Sequence, residues 1–193
     1  MRSYLTYARN RTGIEFQRMR LALSPSPDAL DTSSLAESLP DEPNVLFLCY
    51  GNICRSPLAE RYLRSAASER GIDGLSVDSA GLRTTEGRSS PGDAIEVARE
   101  FGVDLSDHRS KPVTEAQLRW SDVVFVMDLL NYHHLRQGFD DHEGKTLFLG
   151  SLTAGDGYEI NDPYGETLDQ YRTLYGSVVD GVDGLLETAQ LDR

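Results

Sequence analysis

The chain has 193 residues, 39% of them hydrophobic, and its net charge is −12. This acidic balance disfavours binding to nucleic acid or anionic membranes, and no apolar run approaches the roughly 18–20 residues that span a bilayer. The two cysteines, Cys49 and Cys54, are too few for a secreted disulfide scaffold, and the four histidines do not complete a zinc site, so we expect a soluble, cytoplasmic protein without metal, cofactor, nucleic-acid partner or membrane insertion.

The first 43 residues differ in composition from the rest of the chain. Residues 1–20 contain five arginines and one acidic residue, Glu15. Residues 21–43 are rich in serine, proline, aspartate and alanine, which is typical of linkers. We predict a basic N-terminal arm and linker over residues 1–43 and a folded domain over residues 44–193. Two interpretations of the arm stay open: a disordered or wrongly assigned N-terminus, or an arm that docks on an acidic surface.

From Asn44 onwards, strand patterns and helix patterns alternate. Residues 45–49 form a short continuous apolar run, as expected of a strand buried on both faces. Such alternation predicts an α/β fold with a doubly wound, four-stranded parallel sheet and helices on both faces. The predicted strands cover residues 45–49, 75–79, 122–127 and 146–149, and the predicted helices cover 58–67, 91–101, 129–136 and 168–186.

The loop after the first strand is the best candidate for a functional site. Ligands bind at the carboxyl ends of the strands in an open parallel sheet, and the first strand ends at Cys49. Residues 50–57 read Tyr-Gly-Asn-Ile-Cys-Arg-Ser-Pro. Ser56 is a candidate N-cap, and Pro57 suits the first position of the helix that follows. The segment therefore predicts a strand, a tight loop and a helix N-terminus.

This arrangement predicts a phosphate-binding loop after strand 1. Successive backbone N–H groups and the helix N-terminus favour an anion. Gly51 and Asn52 tolerate the left-handed backbone that a curled loop needs, and Arg55 can grip two phosphate oxygens. The same positive field favours the thiolate of Cys49. We therefore interpret Cys49 as a nucleophile rather than as a small buried apolar residue.

The string from Cys49 to Pro57 resembles the signature of the low-molecular-weight protein tyrosine phosphatase family. The similarity extends from about Asn44 to the C-terminus. It includes Asp78-Ser79-Ala80-Gly81, Met127-Asp128 with Asn131, and Asp162-Pro163-Tyr164. The resemblance implies a phosphomonoester hydrolase that acts on protein phosphotyrosine through a phosphocysteine intermediate.

The resemblance also implies a role for each residue of the site. Cys49 is expected to be the nucleophile, Arg55 to bind phosphate and stabilise the transition state, and Asp162 to act as general acid and then base. Ser56 is expected to donate to the thiolate, while Ser79 and His108 hold the loop asparagine. The expected phosphate-binding and supporting residues are Tyr50, Gly51, Asn52, Ile53, Cys54, Ser56, Ser79 and His108, and Tyr164 is the expected wall against the substrate ring.

Two further features bear on regulation and specificity. In the family, the second loop cysteine can form a disulfide with the nucleophile, so we predict redox regulation through Cys54 and Cys49. Family members often carry an aromatic residue in the loop after Ser79-Ala80-Gly81, whereas residues 82–87 contain none. Some members also carry a second tyrosine where Gly165 follows Tyr164.

Three other functions are alternatives to a tyrosine phosphatase. An arsenate reductase of this fold uses downstream cysteines, and none follows Cys54. A protein-arginine phosphatase tends to carry threonine where Ile53 stands. A non-catalytic phosphate-binding module would have lost the nucleophile or the acid, yet Cys49, Arg55 and Asp162 are all present. The expected partner is a phosphotyrosine-containing protein, with a tyrosine kinase among the candidates.

Overall fold

A computed structural model describes residues 31–139, 143–155 and 157–189, and the basic segment predicted over residues 1–20 lies outside this range. Every predicted strand and helix is present, with ends shifted by a few residues. Single turns of 3₁₀ helix at Glu143–Lys145 and Leu149–Leu152 flank the last strand. The strands are β1 (Asn44–Cys49), β2 (Ser76–Gly81), β3 (Val123–Val126) and β4 (Thr146–Phe148), and the helices are α1 (Leu35–Ser38), α2 (Arg55–Glu69), α3 (Gly92–Glu100), α4 (Glu115–Trp120), α5 (Leu129–Gly138) and α6 (Leu168–Thr188).

The sheet is parallel throughout its four strands, in the order β2-β1-β3-β4. The strand β1 is central, and its last residue, Cys49, lies beside Gly81 at the end of β2. Its neighbour on the other side, β3, is fully buried. Continuous apolar strands of this kind require helices on both faces of the sheet, because neither face meets water.

Two apolar layers enclose the sheet, one on each face. On one face, β1 side chains such as Phe47 pack against Leu63 of α2, Val97 of α3 and Val182 of α6. On the other face, Leu48 of β1 packs with residues of α4 and α5. The predicted doubly wound α/β fold is therefore confirmed, and helices on both faces leave the carboxyl edge of the sheet free to carry a site.

Two helices were not predicted from the sequence. The helix α4 begins at a capping box, in which the Thr114 side chain accepts from the Gln117 N–H and the Gln117 side chain accepts from the Thr114 N–H. The helix α1 lies within the stretch predicted as linker, and its Leu35 is buried in the same apolar layer as Phe47. Packing against the core thus begins before Asn44. None of the helices in the described part of the chain is long and apolar enough to cross a membrane.

Candidate active site

The loop between β1 and α2 places Cys49 at the carboxyl edge of the sheet. Asn52 has a left-handed backbone, with φ of 50°, as the curled loop requires. The helix α2 begins at Arg55 with Cys54 at the N-cap position, so the prediction of Ser56 as N-cap is wrong. The Ser56 hydroxyl instead contacts the Cys49 sulfur, and Pro57 still falls within the first turn, where its missing N–H costs no hydrogen bond.

The Cys49 sulfur faces a cavity of about 240 Å³ and receives two polar contacts. The Asn52 backbone N–H donates to Sγ at 3.2 Å, and the Ser56 Oγ lies 3.0 Å from it. The Ser56 Oγ already accepts from the Asn52 side-chain amide at 3.0 Å, which leaves its own hydrogen to point at the sulfur. Both donors can stabilise negative charge on the sulfur.

Asn52 is fully buried, and each of its polar side-chain atoms is bonded. Its Nδ2 donates to Ser79 Oγ at 2.9 Å as well as to Ser56, and its Oδ1 accepts from the Lys111 N–H at 3.0 Å. Its backbone carbonyl lies 2.7 Å from His108 Nε2, which must be the donor because a carbonyl only accepts. The loop is therefore fixed in shape before any ligand arrives.

His108 and Ser79 are in turn held from outside the loop. Burial lowers the pKa of His108, so the imidazole is neutral near neutral pH and its Nε2 carries the proton. The Ser79 hydroxyl donates to Glu60 Oε2 at 2.7 Å, which orients its oxygen toward the Asn52 amide. Glu60 was not singled out from the sequence, since only the packing of α2 against β2 brings it to this position.

Arg55 is 1% exposed and is anchored by three acceptors. Its Nη1 donates to Asp128 Oδ2 at 2.6 Å and to the Ile160 carbonyl at 2.8 Å, and its Nη2 lies 3.0 Å from Asp162 Oδ2. Burial alone would lower the pKa of Arg55, but Asp128 and Asp162 raise it above its usual range. The guanidinium is thus a fixed cation, and its buried Nε–H has no acceptor among the described residues.

Asp128 and Arg88 were missed as site residues by the sequence analysis. Asp128 lies two residues after the end of β3, at the edge of the sheet where ligands bind, so its position in the sequence could have indicated a site residue. It also caps α5, because its Oδ1 accepts from the Asn131 N–H at 2.7 Å. Arg88 is an exposed residue of the loop after β2 and lines the cavity with its cationic side chain.

The mouth of the cavity is formed by side chains that are partly exposed. The Asp162 side chain is 45% exposed, and its Oδ1 accepts from the Tyr164 N–H at 3.3 Å. Tyr164 is 60% exposed, and Tyr50 and Arg88 complete the mouth. We call Tyr50, Arg88, Asp162 and Tyr164 the cavity mouth from here on.

The predicted site residues fall into two groups. Asn52, Ser56, Ser79 and His108 form the bonded layer behind the loop. The predicted residues that line the cavity itself are Cys49, Tyr50, Gly51, Ile53, Cys54, Arg55, Asp162 and Tyr164.

No group of three His, Cys, Asp or Glu side chains within residues 31–139, 143–155 and 157–189 could hold a metal ion.

Cys54 is a buried free thiol that lines the cavity. Its Sγ lies 3.8 Å from the Tyr171 hydroxyl. Burial, and next the neighbouring Cys49 sulfur, raise the pKa of Cys54 to about 12. Cys54 is therefore a protonated thiol at neutral pH. A disulfide between the two cysteines stays a prediction.

The sequence is similar to known phosphatases over most of its length. The family model described as low molecular weight phosphotyrosine protein phosphatase matches residues 44–193. The chain is 37% identical over 133 residues to the probable low molecular weight protein-tyrosine-phosphatase AmsI of Erwinia amylovora, covering 69% of this chain and 88% of that protein.

Two solved structures have the same fold. A low molecular weight protein tyrosine phosphatase from T. tengcongensis superposes with a TM-score of 0.68 and 32% identity, covering 75% of this chain and 98% of that one. The YwlE arginine phosphatase from Geobacillus stearothermophilus superposes with a TM-score of 0.68 and 29% identity, covering 77% of this chain and 93% of that one.

Proposed function

The chain belongs to the low molecular weight phosphotyrosine protein phosphatase family, and we propose that it hydrolyses protein phosphotyrosine through a phosphocysteine formed on Cys49. One observation carries the assignment of residues. Cys49, Arg55 and Asp162 line the same cavity of about 240 Å³, and Arg55 Nη2 lies 3.0 Å from Asp162 Oδ2. A nucleophile, a fixed cation and an acid around one space are what phosphoryl transfer to sulfur requires.

In the first step, the Cys49 thiolate attacks phosphorus. The S–P bond forms while the bond from phosphorus to the tyrosine oxygen breaks. The protonated Asp162 gives its proton to the departing oxygen, and its half-exposed position at the mouth suits that role. Arg55 and the loop N–H groups balance the charge that gathers on the equatorial oxygens.

In the second step, the phosphocysteine is hydrolysed. The Asp162 carboxylate takes a proton from a water molecule as that water attacks phosphorus. The S–P bond then breaks, releasing inorganic phosphate and returning Cys49 as a thiolate. The Ser56 hydroxyl, 3.0 Å from the sulfur, stabilises this leaving thiolate and therefore assists the second step as well as the first.

The lining of the cavity supports an aromatic substrate. Ile53 and Tyr164 offer apolar surface to a ring above the phosphate site. Phosphoarginine is the alternative, because an arginine phosphatase is among the similar structures. Its cationic guanidinium would lie in a cavity already lined by Arg55 and Arg88, which disfavours it.

The decisive experiment compares kcat/KM for three peptides that share their flanking sequence and carry phosphotyrosine, phosphoserine or phosphoarginine. We expect phosphotyrosine to be the best substrate. If Arg88 repels a guanidinium, then Arg88→Ala should raise the phosphoarginine rate relative to phosphotyrosine, and Arg119→Ala on the exposed face of α4 serves as the control. A wild-type preference for phosphoarginine would overturn the tyrosine assignment.

The proposal extends to partner and location. A phosphotyrosine-carrying tyrosine kinase in the cytoplasm is our candidate substrate. Cys49→Ser should trap such a protein, because serine at this position is a poor nucleophile in an intact phosphate loop. Recovery of a tyrosine kinase that is released by phenylphosphonate supports the proposal, and recovery of only unphosphorylated proteins counts against it.

A further inference from the structure

The segment that carries the general acid is tied down just before it reaches the cavity mouth. The Asp162 side chain is 45% exposed, whereas Ile160, two residues earlier, is buried. The Ile160 N–H donates to the Met127 carbonyl at 2.7 Å, and the Ile160 carbonyl accepts from Arg55 Nη1 at 2.8 Å. Two main-chain bonds therefore fix the point beside the end of β3 from which Asp162 projects.

Glu159 adds a side-chain bond at the same point. Its Oε1 accepts from the backbone N–H of Leu129 at 3.0 Å, and Leu129 is the buried first residue of α5. The first N–H groups of a helix have no acceptor within the helix, so a carboxylate can satisfy one of them. The positive end of the helix dipole also favours the negative charge of that carboxylate. Glu159 thus ties the segment before Asp162 to the start of α5.

The start of α5 is itself part of the active site. Its N-cap residue, Asp128, accepts from the Asn131 N–H through Oδ1 and from Arg55 Nη1 through Oδ2. The helix end that receives Glu159 is therefore also the helix end that anchors the phosphate-binding guanidinium. Through it, the acid and the cation are referred to one rigid element, and Arg55 Nη2 lies 3.0 Å from Asp162 Oδ2.

We propose that Glu159 is a positioning residue for the general acid, and that its bond to the α5 N-terminus keeps the Asp162 carboxyl within reach of the leaving oxygen. Proton transfer needs the two heavy atoms within hydrogen-bond distance, and a displacement of about 1 Å can cost up to about 10²-fold in rate. Glu159 is not among the residues that line the cavity. The proposal rests on the proposed function and gives it a residue that acts only through Asp162.

Two leaving groups separate this role from a general disturbance of the site. A phosphotyrosine peptide needs the acid, whereas p-nitrophenyl phosphate needs it much less. The measured quantity is the ratio of kcat/KM for the peptide to kcat/KM for p-nitrophenyl phosphate. Because both constants come from one sample, their ratio does not depend on the fraction of folded enzyme. For Glu159→Ala we expect this ratio to fall about ten-fold.

Two further variants give the controls. Glu159→Gln keeps an oxygen that can accept from the Leu129 N–H, so its ratio should stay within about two-fold of the wild type. Glu166→Ala removes an exposed carboxylate four residues after Asp162 and should leave the ratio unchanged. An unchanged ratio in Glu159→Ala would overturn the proposal. An equal fall in Glu159→Gln would overturn it too, because the charge rather than the hydrogen bond would then be responsible.

A double-mutant cycle tests whether Glu159 acts through Asp162. In an Asp162→Asn background no proton can be delivered, so Glu159→Ala should lower the ratio by no further factor. Additive losses would show that Glu159 acts independently of the acid and would overturn its positioning role.

Amide hydrogen exchange tests the bond to α5 without any turnover. We expect Glu159→Ala to speed exchange over residues 157–164 about three-fold or more, and Glu166→Ala to leave it at the wild-type rate. Unchanged exchange in Glu159→Ala would overturn the proposal. A wild-type protein that hydrolyses no phosphotyrosine would instead contradict the proposed function, while the exchange measurement would still report on the bond.

Discussion

The floor and the mouth of the cavity differ in how their side chains are held. In the floor, Asn52 is fully buried and bonded through its carbonyl and both ends of its side-chain amide. In the mouth, Asp162 and Tyr164 are about half exposed, and one backbone N–H links them. A rigid floor suits the phosphoryl group, which is the same in every substrate, whereas an open mouth can accept different leaving groups.

The difference suggests which changes abolish chemistry and which redirect it. Floor residues act on the phosphoryl group, so their loss should affect all substrates alike. Mouth residues act on the leaving group and the ring, so their loss should depend on the substrate. Substitutions at Cys49, Asp162 and Asn52, and a change of pH, test this division.

The largest effect is expected at the floor, for Cys49→Ser. An alcohol is a far weaker nucleophile than a thiolate, so kcat should fall by about 10⁴-fold or more for every phosphomonoester tested. Phosphate binding should survive, since the loop N–H groups and Arg55 remain. Steady-state kinetics and calorimetry measure the two properties. Cys54→Ser is the matched control and should still turn over, and a Cys49→Ser enzyme with near-normal kcat would remove Cys49 as the nucleophile.

The next effect belongs to the mouth, for Asp162→Asn. A general acid contributes about 10²–10⁴-fold, so kcat/KM, which reports only the first step, should drop by this range for a phosphotyrosine peptide with its poor leaving group. The drop should be much smaller for p-nitrophenyl phosphate, whose leaving group needs little protonation. Asp169→Asn, a change at a 93% exposed side chain, is the control. The same loss on both substrates would exclude Asp162 as the acid.

Asn52 tests the floor as a structural unit. Asn52→Ala removes three side-chain hydrogen bonds, to Ser56, Ser79 and the Lys111 N–H. It also replaces a residue that tolerates a φ of 50° with one that does not. We expect the free energy of unfolding to fall by about 3 kcal/mol. Asn52→Gly keeps the backbone tolerance and should lose about 1 kcal/mol less. Urea unfolding compares the two variants, and equal stabilities would show that backbone strain plays no part.

The smallest effect concerns pH and involves both parts. Burial lowers the pKa of His108 below the floor, and lowers the pKa of His134 behind the mouth to about 4. As the pH falls, these two imidazoles are protonated in the unfolded chain at a higher pH than in the folded protein. Their contribution to the free energy of unfolding is therefore complete above about pH 6.5 and is lost as the pH falls toward 4. We expect His134 to contribute about 1–2 kcal/mol of this loss between pH 7.5 and pH 5.

Urea unfolding at pH 7.5 and at pH 5 measures that loss. The variant His134→Gln should show a shallower dependence of stability on pH than the wild type. His142→Gln, at a histidine outside the described residues, is the control for removal of one titrating imidazole. An identical slope in His134→Gln and wild type would contradict the assignment.

Local signals account for the parts that the sequence predicted correctly. The apolar run before Cys49 and the glycine-asparagine pair after it are short-range features, and they predicted the central strand and the curled loop. The helix α4 was not predicted, although Thr114 and Gln117 have the spacing of a capping box that could have indicated it. Glu60 and Arg88 could not be predicted as site residues from the sequence. The packing of α2 on β2 brings Glu60 to the site, and the path of the loop after β2 brings Arg88 there.

The central strand β1, which ends at the nucleophile, is the first strand of the sheet to be synthesised. It pairs with β2 and β3, which both follow it along the chain. The groups that hold Asn52 and Arg55 in place come from β2 and from later segments, around Ser79, Asp128 and Asp162. During biosynthesis, the emerging chain therefore exposes its reactive thiol before it has any means of using it. Catalytic competence should appear abruptly, once the last of these segments has left the ribosome and docked.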